Sequence, residues 1–136
     1  MTDESKAQWR SHPPFYRHLG LELEALADGK SAIRLPFRKE YANTRGEVHG
    51  GAIATLVDAA MSQAVRSTVE QGALVATISM TLNYLAPGIG DLRCRGTVVR
   101  RGRSLSFVEA EVTDAGGHAV CRATATFRAG APKSQG

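Results

Sequence analysis

The stretch NTRGEVHGGAIATLVDAAMSQAV, from Asn43 to Val65, combines a histidine, two adjacent glycines and one carboxylate within an otherwise apolar run. His49, Gly50 and Gly51 stand where a polar loop changes into a helical pattern. A helix start offers unpaired N–H groups and a partial positive charge, and glycine lets a ligand approach that backbone closely. The motif therefore suits an oxyanion hole, a site for a carbonyl oxygen that gains negative charge during reaction. The glycines also suit a helix that simply packs tightly against a sheet, and the motif alone leaves both interpretations open.

Asp58 is the carboxylate in this apolar run. It follows His49 by nine residues, or about 2.5 helical turns, so the two side chains point to opposite sides of a helix, roughly 13 Å apart along its axis. Either one of them is not catalytic, or two copies related by a two-fold axis share the site, with His49 of one copy facing Asp58 of the other. A solvent-exposed helix stripe is the alternative for Asp58. Its apolar neighbours disfavour that alternative, because a carboxylate in such surroundings is costly unless it is paired or functional.

Hydrophobic periodicity predicts the elements that position these residues. Apolar residues recur at spacings of three and four from about Gly50 to Glu70, which predicts a helix of about twenty residues with Gly72 as its C-terminal cap. PPFYRHLG predicts a short helix that ends at Gly20. The alternation around Asp28-Gly29 predicts a β-hairpin.

The rest of the chain alternates apolar and polar residues, as strands do. In VATISMTLNYL, Thr77 lies on the polar face, and the opposite face carries Ile78, Met80, Leu82 and Tyr84. LRCRGTVVR and SLSFVEAEVTD flank a turn, with a bulge predicted at Phe107-Val108, and AVCRATATF follows as a further strand. One long apolar helix with five or six antiparallel strands predicts an α+β fold in which a curved antiparallel sheet wraps the helix.

Length and composition limit the classes of protein. The 136 residues suit one domain, 1–136, with an ordered core of about 14–129 and flexible tails. No apolar run is long enough to cross a bilayer and the polar start lacks a signal core, so we expect a cytoplasmic protein that does not use a membrane. A net charge of +4 without a basic helix or interleaved aromatics argues against nucleic acid. Cys94 and Cys121 have no metal-ligand spacing and read as free thiols in the core, and no metal or cofactor is expected.

The spacing Asn43-x5-His49-Gly50-Gly51-x6-Asp58 resembles that of the hotdog-fold acyl-CoA thioesterases, specifically the phenylacetic-acid-degradation (PaaI-like) branch. The resemblance runs through NTRGEVHGGAIATLVDAA, continues in ISMTLNYLAPG, and covers roughly residues 15–128. It implies a hotdog fold, a long central helix wrapped by an antiparallel sheet. It also implies hydrolysis of an acyl-CoA to free acid and CoA, without a cofactor, by dimers that share active sites and that pair into tetramers.

The resemblance also implies a role for each matching residue. Asn43 would position the thioester or the attacking water, and His49 would orient the site around the thioester. The Gly50 N–H would polarise the thioester carbonyl. Asp58 would act as nucleophile or general base, two roles that the sequence does not separate, and Thr77 would help to hold the water. The leaving thiolate needs little acid help, because an ordinary thiol has a pKa near about 8.5.

Further residues are predicted to contact the substrate. Gly51, Met61 and Ser62 are predicted to bind the substrate, with Met61 lining the acyl pocket, although Ser62 also reads as an ordinary helix serine. The basic turn between two strands is predicted to bind the phosphates of CoA through Arg101, Arg103 and Ser104. A solvated hairpin tip is the alternative for this turn.

Two other functions compete with hydrolysis. The chain could bind acyl-CoA without cleaving it, as a sensor or regulator. It could also be a hotdog dehydratase, but that branch carries its histidine in a proline-rich loop and NTRGEVHGG contains no proline. The acyl group stays open between aryl groups, such as phenylacetyl or hydroxyphenylacetyl, and short or medium aliphatic chains.

Overall fold

In the computed structural model, which describes residues 7–130, six antiparallel strands form one sheet around a long helix. The helices are α1 (Pro14–Leu19) and α2 (Gly50–Arg66), and a short 3-10 turn covers Lys39–Tyr41. The strands are β1 (Glu22–Ala27), β2 (Lys30–Leu35), β3 (Val75–Tyr84), β4 (Leu92–Arg101), β5 (Leu105–Asp114) and β6 (Ala119–Ala129). They lie in the order β1-β2-β4-β5-β6-β3, so β1 and β3 are the two edges. The predicted α+β arrangement is confirmed.

Two local predictions are confirmed by backbone geometry. Gly20 ends α1 in the left-handed conformation, with φ of 73°. Asp28 and Gly29 both have positive φ, 52° and 80°, which is the two-residue turn that joins twisted antiparallel strands.

Helix α2 ends earlier than its periodicity predicts. Its last residue is Arg66, and Ser67 is the cap instead of Gly72. The hydroxyls of Ser67 and Thr68 donate to the carbonyls of Ala64 and Val65, at 2.7 and 2.6 Å. These bonds satisfy carbonyl groups that a longer helix would have satisfied itself.

The edge strand β3 also departs from strict alternation. Its pairing with β6 shifts register between Thr77 and Ser79, so Ile78 turns outward and is 53% exposed. The bulge predicted at Phe107-Val108 lies instead on the facing strand β4, where the register shifts between Val98 and Arg100.

The core lies between α2 and the concave face of the sheet. Gly96 of β4 allows this close approach, because a Cβ there would lie 2.9 Å from the carbonyl oxygen of Ala60. Cys94 and Cys121 are buried free thiols, as predicted, and burial raises the pKa of the Cys94 thiol.

The packed structure begins before residue 14. The side chain of Gln63 accepts from the Arg10 backbone N–H at 2.8 Å and donates to the Ser11 carbonyl at 2.8 Å, which ties this segment to α2. The remaining parts of the predicted flexible tails, residues 1–6 and 131–136, lie outside the described residues. Among residues 7–130 no helix has the length and hydropathy needed to cross a membrane.

Candidate active site

His49 caps the N-terminus of α2 with its own side chain. Its Nδ1 accepts a hydrogen bond from the Gly51 N–H at 2.8 Å, while its backbone carbonyl accepts from Ala52 and Ile53. A ring nitrogen that accepts carries no proton, so the neutral ring holds its proton on Nε2. The ring is exposed. His49 therefore presents an N–H donor to the surface beside the helix start.

The backbone N–H of Gly50 has no acceptor within residues 7–130. The carbonyl of Gly50, by contrast, accepts from the Tyr84 hydroxyl at 2.8 Å. The start of α2 is thereby fixed to the end of β3. A free N–H at a fixed helix start can stabilise an oxyanion.

Asn43 builds the loop that precedes this helix. Its Oδ1 accepts from the backbone N–H groups of Arg45 and Glu47, and its Nδ2 donates to Glu47 Oε1 at 3.1 Å. The hydrogen bond from Asn43 Nδ2, together with one from Arg45 Nε, holds the pKa of Glu47 below its usual value. In a single copy the Asn43 amide thus serves the loop, and its contact with a thioester or water stays a prediction.

Asp58 and Thr77 form a hydrogen-bonded pair on the side of α2 next to the edge strand. Thr77 Oγ1 donates to Asp58 Oδ1 at 2.7 Å. The carboxylate is half-buried and Thr77 is exposed, so both reach the surface beside β3. A carboxylate held in one orientation by a hydroxyl is suited to act as a base or nucleophile.

The two parts of the site stand at opposite ends of one strand. Gly50 touches Tyr84 near the end of β3, and Asp58 touches Thr77 near its start. Helix α2 runs without interruption between Gly50 and Asp58, a rise of about 12 Å. One copy therefore does not bring the predicted oxyanion hole and the predicted carboxylate together.

Two cavities flank the helix start. One, of about 270 Å³, is lined by His49 and Gly51 and by the residues Phe15, Leu19, Glu40, Tyr41, Ala42, Ala52 and Thr55. The other, of about 390 Å³, is lined by Asn43 and Gly50 together with Tyr84 and the loop that follows it. Ligand could thus approach both sides of the Gly50 backbone.

Met61 is buried in a single copy, and its contact with the acyl group stays a prediction. Its side chain is 0% exposed, because α2 is covered by the sheet along that face, and it belongs to the core instead of an open pocket of this chain. Ser62 is also buried. It follows Asp58 by four residues and therefore lies on the same face of α2 as the carboxylate.

The predicted phosphate-binding turn is the β4–β5 hairpin tip. Arg101, Arg103 and Ser104 are exposed there, and neither arginine forms an ion pair with any described residue. Binding of CoA phosphates by this turn stays a prediction. No cluster suited to a metal ion occurs among residues 7–130.

Comparison with known proteins decides the family. Residues 45–121 match the model of the thioesterase superfamily. The chain belongs to the thioesterase superfamily. Human acyl-coenzyme A thioesterase 13 is 33% identical over 103 residues, 74% of this chain and 73% of the relative. A Halobacterium salinarum protein named as an esterase is 39% identical over 99 residues, 69% of this chain and 66% of that protein.

A solved structure supports the same family. A phenylacetic acid degradation-related protein from Ralstonia eutropha aligns with a TM-score of 0.80 at 30% identity, covering 87% of this chain and 91% of that one. The predicted hotdog fold and the predicted resemblance to the phenylacetic-acid-degradation branch are confirmed. The family also confirms the predicted enzyme class, that of thioester hydrolases.

Sequence reasoning missed three side chains of this thioesterase. Tyr84 was assigned only to an apolar face, although its hydroxyl holds Gly50. Tyr16 of α1 and Arg66 of α2 lie beside Ser62, next to Asp58. For Arg66 a signal was present, since it follows Ser62 by four residues and Ser62 in turn follows Asp58 by four.

Proposed function

We propose that this thioesterase hydrolyses acyl-CoA to a free acid and CoA, in active sites that each use two copies of the chain. The observation that carries the proposal is the placement of Gly50 and Asp58 beside opposite ends of the same free edge strand. If the β3 strands of two copies paired antiparallel, the end that carries Gly50 in one copy would lie beside the end that carries Asp58 in the other. Each site would then contain both residues.

Strand β3 is suited to pair with a second copy. It is a sheet edge of 10 residues, and its sequence VATISMTLNY contains no charged residue and no proline, the features that usually protect an edge from pairing. A two-fold axis between Met80 and Thr81 would set Thr77 opposite Tyr84 of the second copy, with strands about 4.8 Å apart. That pairing would bring Gly50 of the second copy close to Asp58.

The chemistry follows from these positions. The Gly50 N–H of one copy polarises the thioester carbonyl, and the His49 Nε2–H of that copy can donate to the substrate. Asp58 of the other copy, held by Thr77, either takes a proton from the attacking water or attacks the carbonyl itself. The tetrahedral intermediate collapses with cleavage of the C–S bond, and the CoA thiolate leaves. Attack by water gives the free acid directly, whereas attack by Asp58 gives a mixed anhydride that water then hydrolyses to the free acid and the Asp58 carboxylate.

The relatives support acyl-CoA as the substrate class. Acyl-coenzyme A thioesterase 13 names that substrate, and the relative from Ralstonia eutropha is linked to phenylacetic acid degradation. We propose an aryl or a short to medium acyl group, with the hairpin of Arg101, Arg103 and Ser104 near the phosphates. Two dimers could join into a tetramer, which sedimentation analysis would test.

Complementation between two inactive variants tests the shared site. Asp58→Asn and His49→Ala are each expected to lose most activity in a thiol-release assay on an acyl-CoA panel. Random mixing makes about half of the dimers mixed, and each mixed dimer holds one intact site of two, so about a quarter of wild-type activity should return. If the variants alone are inactive and mixing under conditions that exchange subunits restores nothing, the shared site is wrong.

The acyl-CoA panel tests the reaction itself. Release of CoA from at least one acyl-CoA supports hydrolysis. Tight binding of acyl-CoA without release at any chain length would favour the acyl-CoA-binding module instead.

A further inference from the structure

Arg66 is a half-buried cation with few partners. Its Nε donates to Ser62 Oγ and its Nη2 to the Val75 carbonyl, both at 3.3 Å. No carboxylate within residues 7–130 forms an ion pair with it. Guanidinium has five N–H donors, and removing such a group from water is costly unless an acceptor compensates. Two long hydrogen bonds to neutral oxygens leave N–H donors of the guanidinium available to a stronger acceptor.

The guanidinium of Arg66 points along α2 towards Asp58. The hydrogen bond to Ser62 shows that the side chain runs back one turn towards the N-terminus of α2. Ser62 is one turn beyond Asp58, about 6 Å along the axis. The bond to Val75 places the guanidinium against the start of β3, the same strand that carries Thr77. The cation and the proposed catalytic carboxylate therefore share one face, about one turn apart.

Tyr16 adds a second donor at this place. The side chain is only 9% exposed, and its hydroxyl lies near Asp58, Ser62 and Arg66. Burial, with a contribution from the nearby Asp58 carboxylate, raises the pKa of Tyr16 to about 12, against smaller opposing effects of Arg66 and Ser62. The phenol thus stays protonated at neutral pH and can donate a hydrogen bond.

We propose that Arg66, with Tyr16 and Ser62, binds the far end of the acyl group and selects an acyl chain that ends in a carboxylate. This inference rests on the proposed function, because it takes Asp58 as the reacting end of the site. A carboxylate is the acceptor that matches the planar fork of arginine.

The spacing sets the length of the chain. Carbon–carbon bonds of about 1.5 Å in an extended zigzag advance roughly 1.25 Å each, so about five bonds cover the turn between Asp58 and Ser62. A six-carbon dicarboxylic acyl group, adipoyl, has that length. Hexanoyl has the same length but ends in a methyl group. Adipoyl and hexanoyl groups therefore differ only at the end that Arg66 would bind.

The test compares kcat/KM for adipoyl-CoA and hexanoyl-CoA. The wild type is expected to prefer adipoyl-CoA, and Arg66→Met should lower adipoyl-CoA turnover by about 10- to 100-fold, the effect of one charge-assisted hydrogen bond, while hexanoyl-CoA changes by less than about threefold. Arg66→Lys should keep part of the preference. Tyr16→Phe should lower adipoyl-CoA turnover by about 2- to 10-fold.

Arg95→Met is the matched control, because Arg95 is exposed on the outer face of β4, away from α2. It should leave both rates unchanged. The inference is overturned if the wild type shows no preference for adipoyl-CoA. It is also overturned if Arg66→Met lowers kcat/KM for both substrates by the same factor, since Arg66 would then only hold α2 to β3.

A binding measurement separates this inference from the proposed function. If no acyl-CoA is cleaved, hydrolysis is wrong, and equilibrium binding of the same two acyl-CoAs then decides the role of Arg66. Tighter binding of adipoyl-CoA that Arg66→Met abolishes would uphold the terminal-carboxylate site. Equal affinity for both acyl-CoAs would overturn it.

Discussion

The hydrogen bond between Thr77 and Asp58 offers a direct test of how the carboxylate is positioned. Thr77→Val replaces the hydroxyl by a methyl group of similar size and leaves Asp58 Oδ1 without the donor now 2.7 Å away. Thr77 is exposed in a β-strand, where valine is well tolerated, so the fold should be unaffected. The substitution thus removes one contact and little else.

The size of the effect follows from the charge of the acceptor. A hydrogen bond to a charged group contributes about 1.5–3 kcal/mol, and each 1.36 kcal/mol is tenfold in rate. If the bond orients Asp58 in the transition state, Thr77→Val should lower kcat/KM by about 10- to 100-fold. The assay is thiol release from a short-chain acyl-CoA, with circular dichroism to confirm folding.

Thr124→Val provides the control. Thr124 is also an exposed strand threonine, but it lies on β6, on the outer face of the sheet. It should retain the wild-type rate. A Thr77→Val enzyme with full kcat/KM would refute the reasoning, because the hydroxyl would then contribute nothing to the reacting group.

Three further predictions concern stability and the helix start. Gly96→Ala should lower the free energy of unfolding by about 1–3 kcal/mol, measured in urea, because the new Cβ would lie 2.9 Å from the Ala60 carbonyl oxygen; an unchanged urea midpoint would contradict the close packing. Tyr84→Phe removes the donor to the Gly50 carbonyl and should lower kcat/KM by about 2- to 10-fold, and an unchanged rate would show that the helix start needs no such tie. Burial and the nearby Asp58 carboxylate raise the pKa of Tyr16 from an ordinary 10.0 to about 12 in the folded chain. Between these two values only the unfolded chain releases this proton, so stability that is fully present below pH 10 is lost as the pH rises towards 12. Between pH 9 and pH 11 the wild type should therefore lose roughly 1 kcal/mol more than Tyr16→Phe, and equal losses in urea titrations would contradict the raised pKa.

Local signals predicted most of the fold. The Asp28-Gly29 turn and the end of α1 at Gly20 depend on backbone conformations that neighbouring residues specify, and both are present. The end of α2 was predicted too late, because its apolar spacing continues through Val69 while the hydroxyls of Ser67 and Thr68 already satisfy the last carbonyls. Periodicity reports which face is buried, not where the hydrogen bonding stops.

The candidate site divides in the same way. His49, Gly50 and Asp58 were predicted from the helix start and from the cost of a carboxylate among apolar residues, and the structure shows the cap and the Thr77 partner that give them geometry. The burial of Met61 could not be predicted, because a helix that is apolar on several faces does not reveal which face the sheet covers.

The sequence by itself determined the elements, the offset between the helix start and Asp58, and the family, because each depends on residue types at short spacing along the chain. Only the tertiary structure decided that Gly50 and Asp58 lie at opposite ends of the free edge β3, and that Tyr16 approaches Ser62 and Arg66. These contacts join residues far apart in the chain. Their formation depends on how the sheet order and the packing of α1 bring whole elements together, which no local pattern records.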